Sequence, residues 1–142
     1  MQTLFGGQKV SYKTVYYYFN KWAKDGSLQQ VHQKLLGLQP SRLRLGVCAL
    51  DGTHTRCQRN CQASGWQGRK KAVTTNLLLL TDNQGLPIAL AQPMAGNHND
   101  LYQADKALDA MASGLKKAGL RTQGIFLNAD AGHRGAGLIA RP

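Results

Sequence analysis

The sequence predicts an α/β protein in which a helical segment, residues 1–43, precedes a mixed sheet built from residues 44–142. Three observations predict this class. Apolar residues recur at helical spacing in the first part of the chain. The second part holds short apolar runs bounded by glycine and aspartate, which are typical of buried strands. One amphipathic stretch lies before the last of these runs. The length of 142 residues fits one domain, or one domain with a small attachment.

Two short helices are predicted in the helical segment. The apolar positions of the first are Tyr12, Val15, Tyr16 and Phe19. Gly26 is suited to end this helix, and Ser27 can cap a second one that runs to about residue 36. Two helices joined by a tight glycine turn are typical of part of a helix-turn-helix unit. A plain helical hairpin packed on the main domain fits the spacing equally well.

Four strands are predicted in the remainder of the chain, at residues 45–50, 73–80, 86–94 and 124–130. The turn sequence at 82–85 joins the second and third strands into an antiparallel hairpin. A glycine-rich, basic loop to about residue 71 separates the first two strands. A helix capped by residues 97–100, running to about residue 118, leads to the fourth strand. The fourth strand can therefore run parallel to the first.

The charge balance predicts a polyanionic partner. The chain has 18 lysine and arginine residues against 7 acidic ones, a formal net charge of +11. All seven acids are aspartate, and the sequence contains no glutamate. An excess of this size opposes compaction unless a polyanion offsets it, and nucleic acid is the favoured candidate. A basic face that only meets solvent is the alternative interpretation.

Other sequence features exclude several classes of protein. No apolar run approaches the roughly 18 residues of a membrane span, and no secretory signal is recognised at the N-terminus. Three cysteines, an odd number, argue against a disulfide framework and for a reducing compartment. Cys57 and Cys61 with His54 have an irregular spacing for zinc, so we favour structural thiols. We therefore expect a soluble cytoplasmic protein.

Two aspartates form the candidate catalytic and metal site. Asp51 and Asp130 each follow an apolar strand. If the two strands are parallel neighbours, about 4.8 Å apart, both carboxylates can reach one cation. Two such close carboxylates repel each other unless a metal lies between them, and hard oxygen ligands favour Mg²⁺ or Mn²⁺. Taken singly, each aspartate also fits an ordinary turn after a strand.

Several blocks of sequence resemble bacterial insertion-sequence transposases of the DDE type. The blocks are LDGTHT at 50–55, GWQGRKK at 65–71, TTNL at 74–77, AGNHND at 95–100 and LNADAG at 127–132. The resemblance covers about residues 10–133. It implies an RNase H-like fold with sheet order 3-2-1-4-5, in which strand two is antiparallel to its neighbours. It also implies Mg²⁺-dependent cleavage and transfer of DNA at transposon ends, with Asp51 and Asp130 as the first two catalytic, metal-binding acids.

The basic loop supplies the candidate nucleic-acid contacts. These residues are Arg56, Arg59, Trp66, Arg69, Lys70 and Lys71. The three consecutive cations at 69–71 can contact phosphates, whereas Trp66 either stacks on a base or packs under the loop. A non-catalytic DNA-binding remnant that uses the basic region 42–71 is therefore the alternative function.

The sequence departs from the transposase pattern after the second aspartate. The family's third acid is a glutamate on a later helix, and this chain has no glutamate. The residues from His133 onward look unrelated to the family, so we expect a frameshift or a premature stop. A fragment without the third metal ligand should be inactive by itself. The expected partner is the terminal-repeat DNA of the transposon, with a homo-oligomer or a complementing downstream fragment as further possibilities.

Overall fold

The computed structural model describes residues 10–57, 63–99 and 102–129. Within these ranges three α-helices accompany a mixed sheet of six strands, so the predicted α/β class is confirmed. The helices are α1 (Tyr12–Lys24), α2 (Ser27–Leu38) and α3 (Ala104–Lys117). The strands are β1 (Val47–Arg56), β2 (Gly65–Gln67), β3 (Ala72–Thr81), β4 (Pro87–Leu90), β5 (Met94–Ala95) and β6 (Phe126–Ala129). None of the described helices has the length and apolar character needed to cross a membrane.

The helices α1 and α2 form a hairpin whose turn matches the sequence prediction. Gly26 adopts φ 78°, a left-handed conformation that glycine tolerates without steric cost. The Asp25 carboxylate accepts a hydrogen bond from the backbone N–H of Ser27 at 2.9 Å. The second helix continues past the predicted end, through Gly37 to Leu38. A Cβ atom at Gly37 would lie 2.7 Å from the carbonyl oxygen of Ala118, so glycine permits a close approach of α2 to the end of α3.

The sheet is organised around β3. The strand order is β2-β3-β1-β6, and β4 and β5 also pair with β3. The strand β3 is antiparallel to each of its four partners, whereas β6 runs parallel to β1. The predicted hairpin between the second and third strands and the predicted parallel pairing of the first and last strands are therefore both present.

Three further features of the sheet and of α3 differ from the sequence predictions. The strand β2 lies in the region predicted to be loop, where it pairs with the start of β3. The predicted third strand is divided into β4 and β5, with Pro93 between them, because proline cannot donate a ladder hydrogen bond. The helix α3 begins at Ala104 rather than directly after residues 97–100, because Gln103 before it adopts a left-handed φ of 55°.

One face of the sheet, here called the inner face, packs against α3. Alternate residues of β1 and β3 supply its apolar side chains, as the two-residue period of a strand requires. The buried side chains of this core include Cys48, Leu50, Leu78, Leu80, Ile88, Met111 and Leu115. On α3, Ala104, Met111 and Leu115 are buried, and Leu108 is partly buried against the core.

Two of the three cysteines lie within the described residues, one as a buried thiol and one in a disulfide. Cys48 is a free thiol within the core, and burial raises its pKa, with a further increase from the Asp82 carboxylate. Cys57, one residue after β1, is disulfide-bonded. The odd cysteine count argues against a disulfide framework but did not predict this single oxidised residue, and Cys57 is not available as a zinc thiolate.

Asp82 joins the turn after β3 to the start of β1. Only 2% of this residue is exposed. Its carboxylate accepts hydrogen bonds from the backbone N–H groups of Arg44, Gln84 and Leu86, at 3.0, 2.9 and 2.9 Å. Burial tends to raise the pKa of Asp82, but these donors and the Gln84 side chain together hold the pKa below its usual value. The ionised form of Asp82 therefore stabilises the fold.

We expect the substitution Asp82→Asn to lower the free energy of unfolding by about 1–3 kcal/mol, because a buried donor loses its acceptor. A depressed folded pKa gives stability that is present above the unfolded value of about 3.9 and is lost as the pH falls below it through the folded pKa. Urea unfolding at neutral pH and at pH values below 4 measures both effects. Asp109→Asn, at an exposed position of α3, is the matched control. Equal losses in both variants would contradict this role of Asp82.

Candidate functional site

Asp51 lies inside a strand rather than at its end. The strand β1 continues from Val47 to Arg56, and Asp51 pairs with Leu79 of β3. The prediction that the first strand ends at Asp51 is therefore wrong. Residues 53–56 are held in the strand by their antiparallel pairing with β3, which the sequence of β1 alone does not reveal. Asp51 is exposed, and its Oδ1 accepts a hydrogen bond from the backbone N–H of Gly52 at 2.8 Å.

The parallel pairing of β1 and β6 ends directly before the two predicted catalytic residues. Leu50 is the register partner of Ala129. In the sequence, Asp51 directly follows Leu50, and Asp130 directly follows Ala129. Asp130 itself lies outside the described residues. The structure thus brings the two predicted strands together as neighbours and places the last described residue of β6 beside Leu50.

Asp51 belongs to the second face of the sheet, here called the outer face. On β1, Val47, Ala49 and Asp51 are exposed, whereas the intervening Cys48 and Leu50 are buried. The register partners of these exposed positions extend the same face onto β3 and β6. They include Leu77 and Leu79 on β3, and Phe126 and Asn128 on β6. Among the described strand residues, Asp51 is the only charged residue on this face.

The donor chemistry around Asp51 fits a hard divalent cation. A carboxylate with one oxygen held by Gly52 offers its other oxygen to a ligand. Asn128, which is exposed and pairs with Ala49, places an amide oxygen on the same face of the neighbouring strand. Sequence analysis missed Asn128; its alternation with Leu127 along β6 is the signal that could have identified it. Within residues 10–57, 63–99 and 102–129, no cluster of three or more His, Cys, Asp or Glu residues could hold a metal.

The inner face becomes polar toward the end of β1. His54 pairs with Asn76 there, and both Asn76 and Thr74 are completely buried. The Nδ1 atom of His54 lies 3.3 Å from the hydroxyl of Thr74. Gly96 packs directly against Thr74, where a Cβ atom would overlap the threonine side chain and carbonyl group. The contacts of Thr74 with His54 and Gly96 hold neighbouring segments together at the end of the sheet that carries the basic residues.

Five of the six predicted nucleic-acid contacts are described, and they lie at one end of the sheet. The turn between β2 and β3 carries Arg69, Lys70 and Lys71, all exposed, and Arg56 is exposed at the end of β1. Lys70 Nζ donates a hydrogen bond to the carbonyl oxygen of His54 at 3.2 Å, which ties the turn to β1. The sixth residue, Arg59, lies outside the described residues.

Trp66 of β2 is 60% exposed and pairs with Val73. More than half of the side-chain surface is therefore accessible to solvent. The short hairpin of β2 and β3 presents the indole on the outer face, because its partner position Val73 has the same orientation as the outer residues of β3. An exposed indole beside lysine and arginine side chains is suited to stacking on a nucleic-acid base.

Comparison of the chain with protein-family models, with curated proteins and with solved structures finds no match.

Proposed function

We propose that this chain is part of a DDE-type DNA transposase, in which Asp51 and Asp130 bind a divalent cation that acts on a phosphodiester. The observation that carries the proposal is the parallel register of β1 and β6, with Leu50 opposite Ala129. One further residue of the same register would bring the carboxylates of Asp51 and Asp130 side by side on adjacent strands, about 4.8 Å apart. Such a spacing suits a shared Mg²⁺ or Mn²⁺ ion.

The topology of the sheet supports the RNase H-like part of this proposal. The sequence of neighbours β4-β3-β1-β6 corresponds to the first four positions of the order 3-2-1-4-5. The second of these strands, β3, is antiparallel to both neighbours, as that fold requires. The fourth, β6, follows α3 and is parallel to the first.

Each group in this site has a distinct role in the proposed reaction. Asp51 and Asp130 anchor the cation, and the N–H of Gly52 orients the Asp51 carboxylate. A divalent cation bound there supplies Lewis-acid activation of water or of a hydroxyl group at a phosphodiester. Arg56 alternates onto the inner face of β1, because it pairs with the buried Thr74, whereas Asp51 lies on the outer face. The cations that could bind DNA near Trp66 on the outer face are therefore those of the turn at residues 69–71.

The composition of the chain limits what it can do alone. Loss of one carboxylate ligand weakens the hold on a metal ion, and this sequence has no glutamate to serve as a third acid. We therefore expect metal and DNA binding from this chain, with little strand cleavage.

We expect the chain to bind Mn²⁺, and both Asp51→Asn and Asp130→Asn to weaken that binding at least tenfold, because each removes one of two anionic ligands. Titration followed by the electron paramagnetic resonance of free Mn²⁺ measures the affinity. Asp105→Asn, at an exposed position of α3, is the matched control. Any Mg²⁺-dependent nicking of plasmid DNA should disappear in the same two variants. Mn²⁺ binding that is equal in Asp51→Asn and Asp105→Asn would rule out the two-carboxylate site.

A non-catalytic DNA-binding protein is the second candidate function. It is favoured by the basic turn at residues 68–71, with the exposed Trp66 on the adjacent strand. This function requires the basic end of the sheet and no metal. DNA affinity that is unchanged by metal and by Asp51→Asn would favour it over the transposase.

We expect DNA binding to weaken with salt, and the triple variant Arg69→Gln, Lys70→Gln and Lys71→Gln to reduce the log–log salt slope by about 0.9 for each phosphate contact that is lost. Fluorescence anisotropy with a duplex at several salt concentrations gives the slope. The matched control removes the same charge from three exposed lysines of α3, Lys106, Lys116 and Lys117. An equal change in both triple variants would mean that net charge, rather than the basic turn, determines binding.

A further inference from the structure

The disulfide of Cys57 lies at the end of the sheet that carries the basic residues and has no part in the proposed function. The sequence contains three cysteines, at positions 48, 57 and 61. Cys57 is disulfide-bonded, whereas Cys48 is a free thiol buried in the core. Of the cysteines of this chain, Cys61 therefore remains as the partner of Cys57. Cys61 itself lies outside the described residues.

Cys57 continues the contact between β1 and β3 one residue beyond the end of β1. Its backbone N–H donates a hydrogen bond to the carbonyl oxygen of Val73 at 3.0 Å. Its Sγ atom lies 3.1 Å from the hydroxyl oxygen of Thr75. On the opposite edge of β3, the same Val73 pairs with Trp66 of β2. One residue of β3 thus separates the oxidised cysteine from the exposed tryptophan.

The connection from β1 to β2 crosses β3, because these two strands lie on opposite edges of it. Two strand spacings, about 10 Å, separate them, and residues 58–64 join Cys57 to Gly65. Thr75 contacts both ends of this connection, since its hydroxyl also donates a hydrogen bond to the carbonyl oxygen of Ala63. A bond from Cys57 to Cys61 closes the first half of the connection into a ring.

The strand β2 is short enough for its order to depend on the preceding connection. It has three residues, and among the described strands it pairs with β3 alone. So short an edge strand offers few ladder hydrogen bonds to offset the entropy lost when the chain is ordered. A cross-link in the loop before it reduces that loss, because the undocked loop has fewer conformations. The disulfide therefore favours the paired position of β2.

The surroundings of Cys57 suit reversible exchange with other thiols. Cys57 is partly exposed, whereas Cys48 is completely buried and burial raises its pKa, which keeps it an unreactive thiol. Arg56 precedes Cys57, and Arg59 lies between the two paired cysteines in the sequence. Positive charge favours the thiolate, which is the form that attacks a disulfide. In reducing compartments, such as the one predicted for this chain, disulfides are usually transient and redox-sensing.

We propose that Cys57 and Cys61 form a reversible redox site whose oxidation state sets the order of β2. The co-reactant is a small-molecule thiol such as glutathione. One glutathione thiolate attacks a sulfur of the disulfide, which forms a mixed disulfide and releases one protein thiolate. A second glutathione thiolate attacks the glutathione sulfur and releases the other protein thiolate and oxidised glutathione. Two electrons pass to the protein, and the two glutathione thiols supply the protons of its two thiols.

The oxidation state of this site reaches the basic end of the sheet through β2. Reduction opens the ring at residues 57–61 and leaves the whole connection free before β2. The hairpin of β2 and β3 then loses part of what holds it, and this hairpin carries Trp66 and the turn at residues 69–71. The oxidised chain is the one in which these groups are held in place.

Thiol counting and hydrogen exchange on the 142-residue chain test the proposal. Mass spectrometry after alkylation in denaturant should find one free thiol in the oxidised chain and three after treatment with excess reduced glutathione. Hydrogen exchange measured by NMR then compares the two states. We expect the amides of β2 to exchange at least tenfold faster in the reduced chain, whereas the amides of residues 48–50, in the core of the sheet, should exchange equally in both.

Two variants separate the proposed pair from the third cysteine. Cys61→Ser should show fast exchange of β2 even under oxidising conditions, with Cys57 as a free thiol. Cys48→Ala is the matched control, because it removes the buried thiol and leaves only the two proposed partners. This control should keep its disulfide and respond to glutathione as the original chain does. Circular dichroism checks that both variants remain folded.

Four results would overturn the inference. These are three free thiols in the oxidised chain, a covalent link to a second copy on a non-reducing gel, a disulfide that excess glutathione leaves intact, and equal exchange of β2 in both states. The inference does not rest on the proposed function, since the order of β2 is measured without metal or DNA. Failure of the Mn²⁺ or DNA binding tests would leave these results unaffected.

Discussion

The antiparallel pairing of β1 with β3 is the contact on which the rest of the structure depends. It runs from Ala49 opposite Thr81 to Arg56 opposite Thr74. It gives β4, β5 and β2 a common partner in β3, and it holds β1 in place for the parallel addition of β6. The buried carboxylate of Asp82 reinforces one end of this pairing by binding the backbone at residue 44. The polar contacts of His54 and Thr74 reinforce the other end.

The two faces of the sheet have different chemistry, and this difference determines where function can lie. The inner face is filled by the core and by α3. The outer face holds Asp51 among leucine, valine, threonine and phenylalanine side chains. Among the described residues of the sheet and its turns, the lysines and arginines lie on the β2–β3 turn and at the end of β1. The acidic and the basic groups of the sheet are therefore separated along β1.

Much of this architecture follows from local sequence patterns. The helical spacing of Tyr12, Val15, Tyr16 and Phe19 predicted α1, and Gly26 predicted its end, because both signals act within one or two helical turns. The run of threonine and leucine residues in β3 and the turn sequence after it predicted the hairpin of β3 and β4. The helix before β6 predicted the parallel pairing with β1, because a crossover of that length allows it.

The features that were missed depend on partners distant in sequence. The extension of β1 beyond Asp51 needs the ladder with β3, and the three residues of β2 form a strand only because β3 offers an edge. The late start of α3 depends on the unusual backbone angle of Gln103. The position of Asn128 beside Ala49 requires the register between β1 and β6, which no local pattern contains.

The interior position of Asp51 has a consequence for how the side chain meets a ligand. A carboxylate carried on a loop must lose backbone freedom when it binds an ion, at a cost of about 1–2 kcal/mol for each residue that becomes ordered. The backbone of Asp51 is already fixed by its ladder with Leu79, and its neighbour Leu50 is paired on both sides. For an ion that binds at this position, the main cost would be the loss of water ligands from the ion. The strand that carries Asp51 would not have to rearrange.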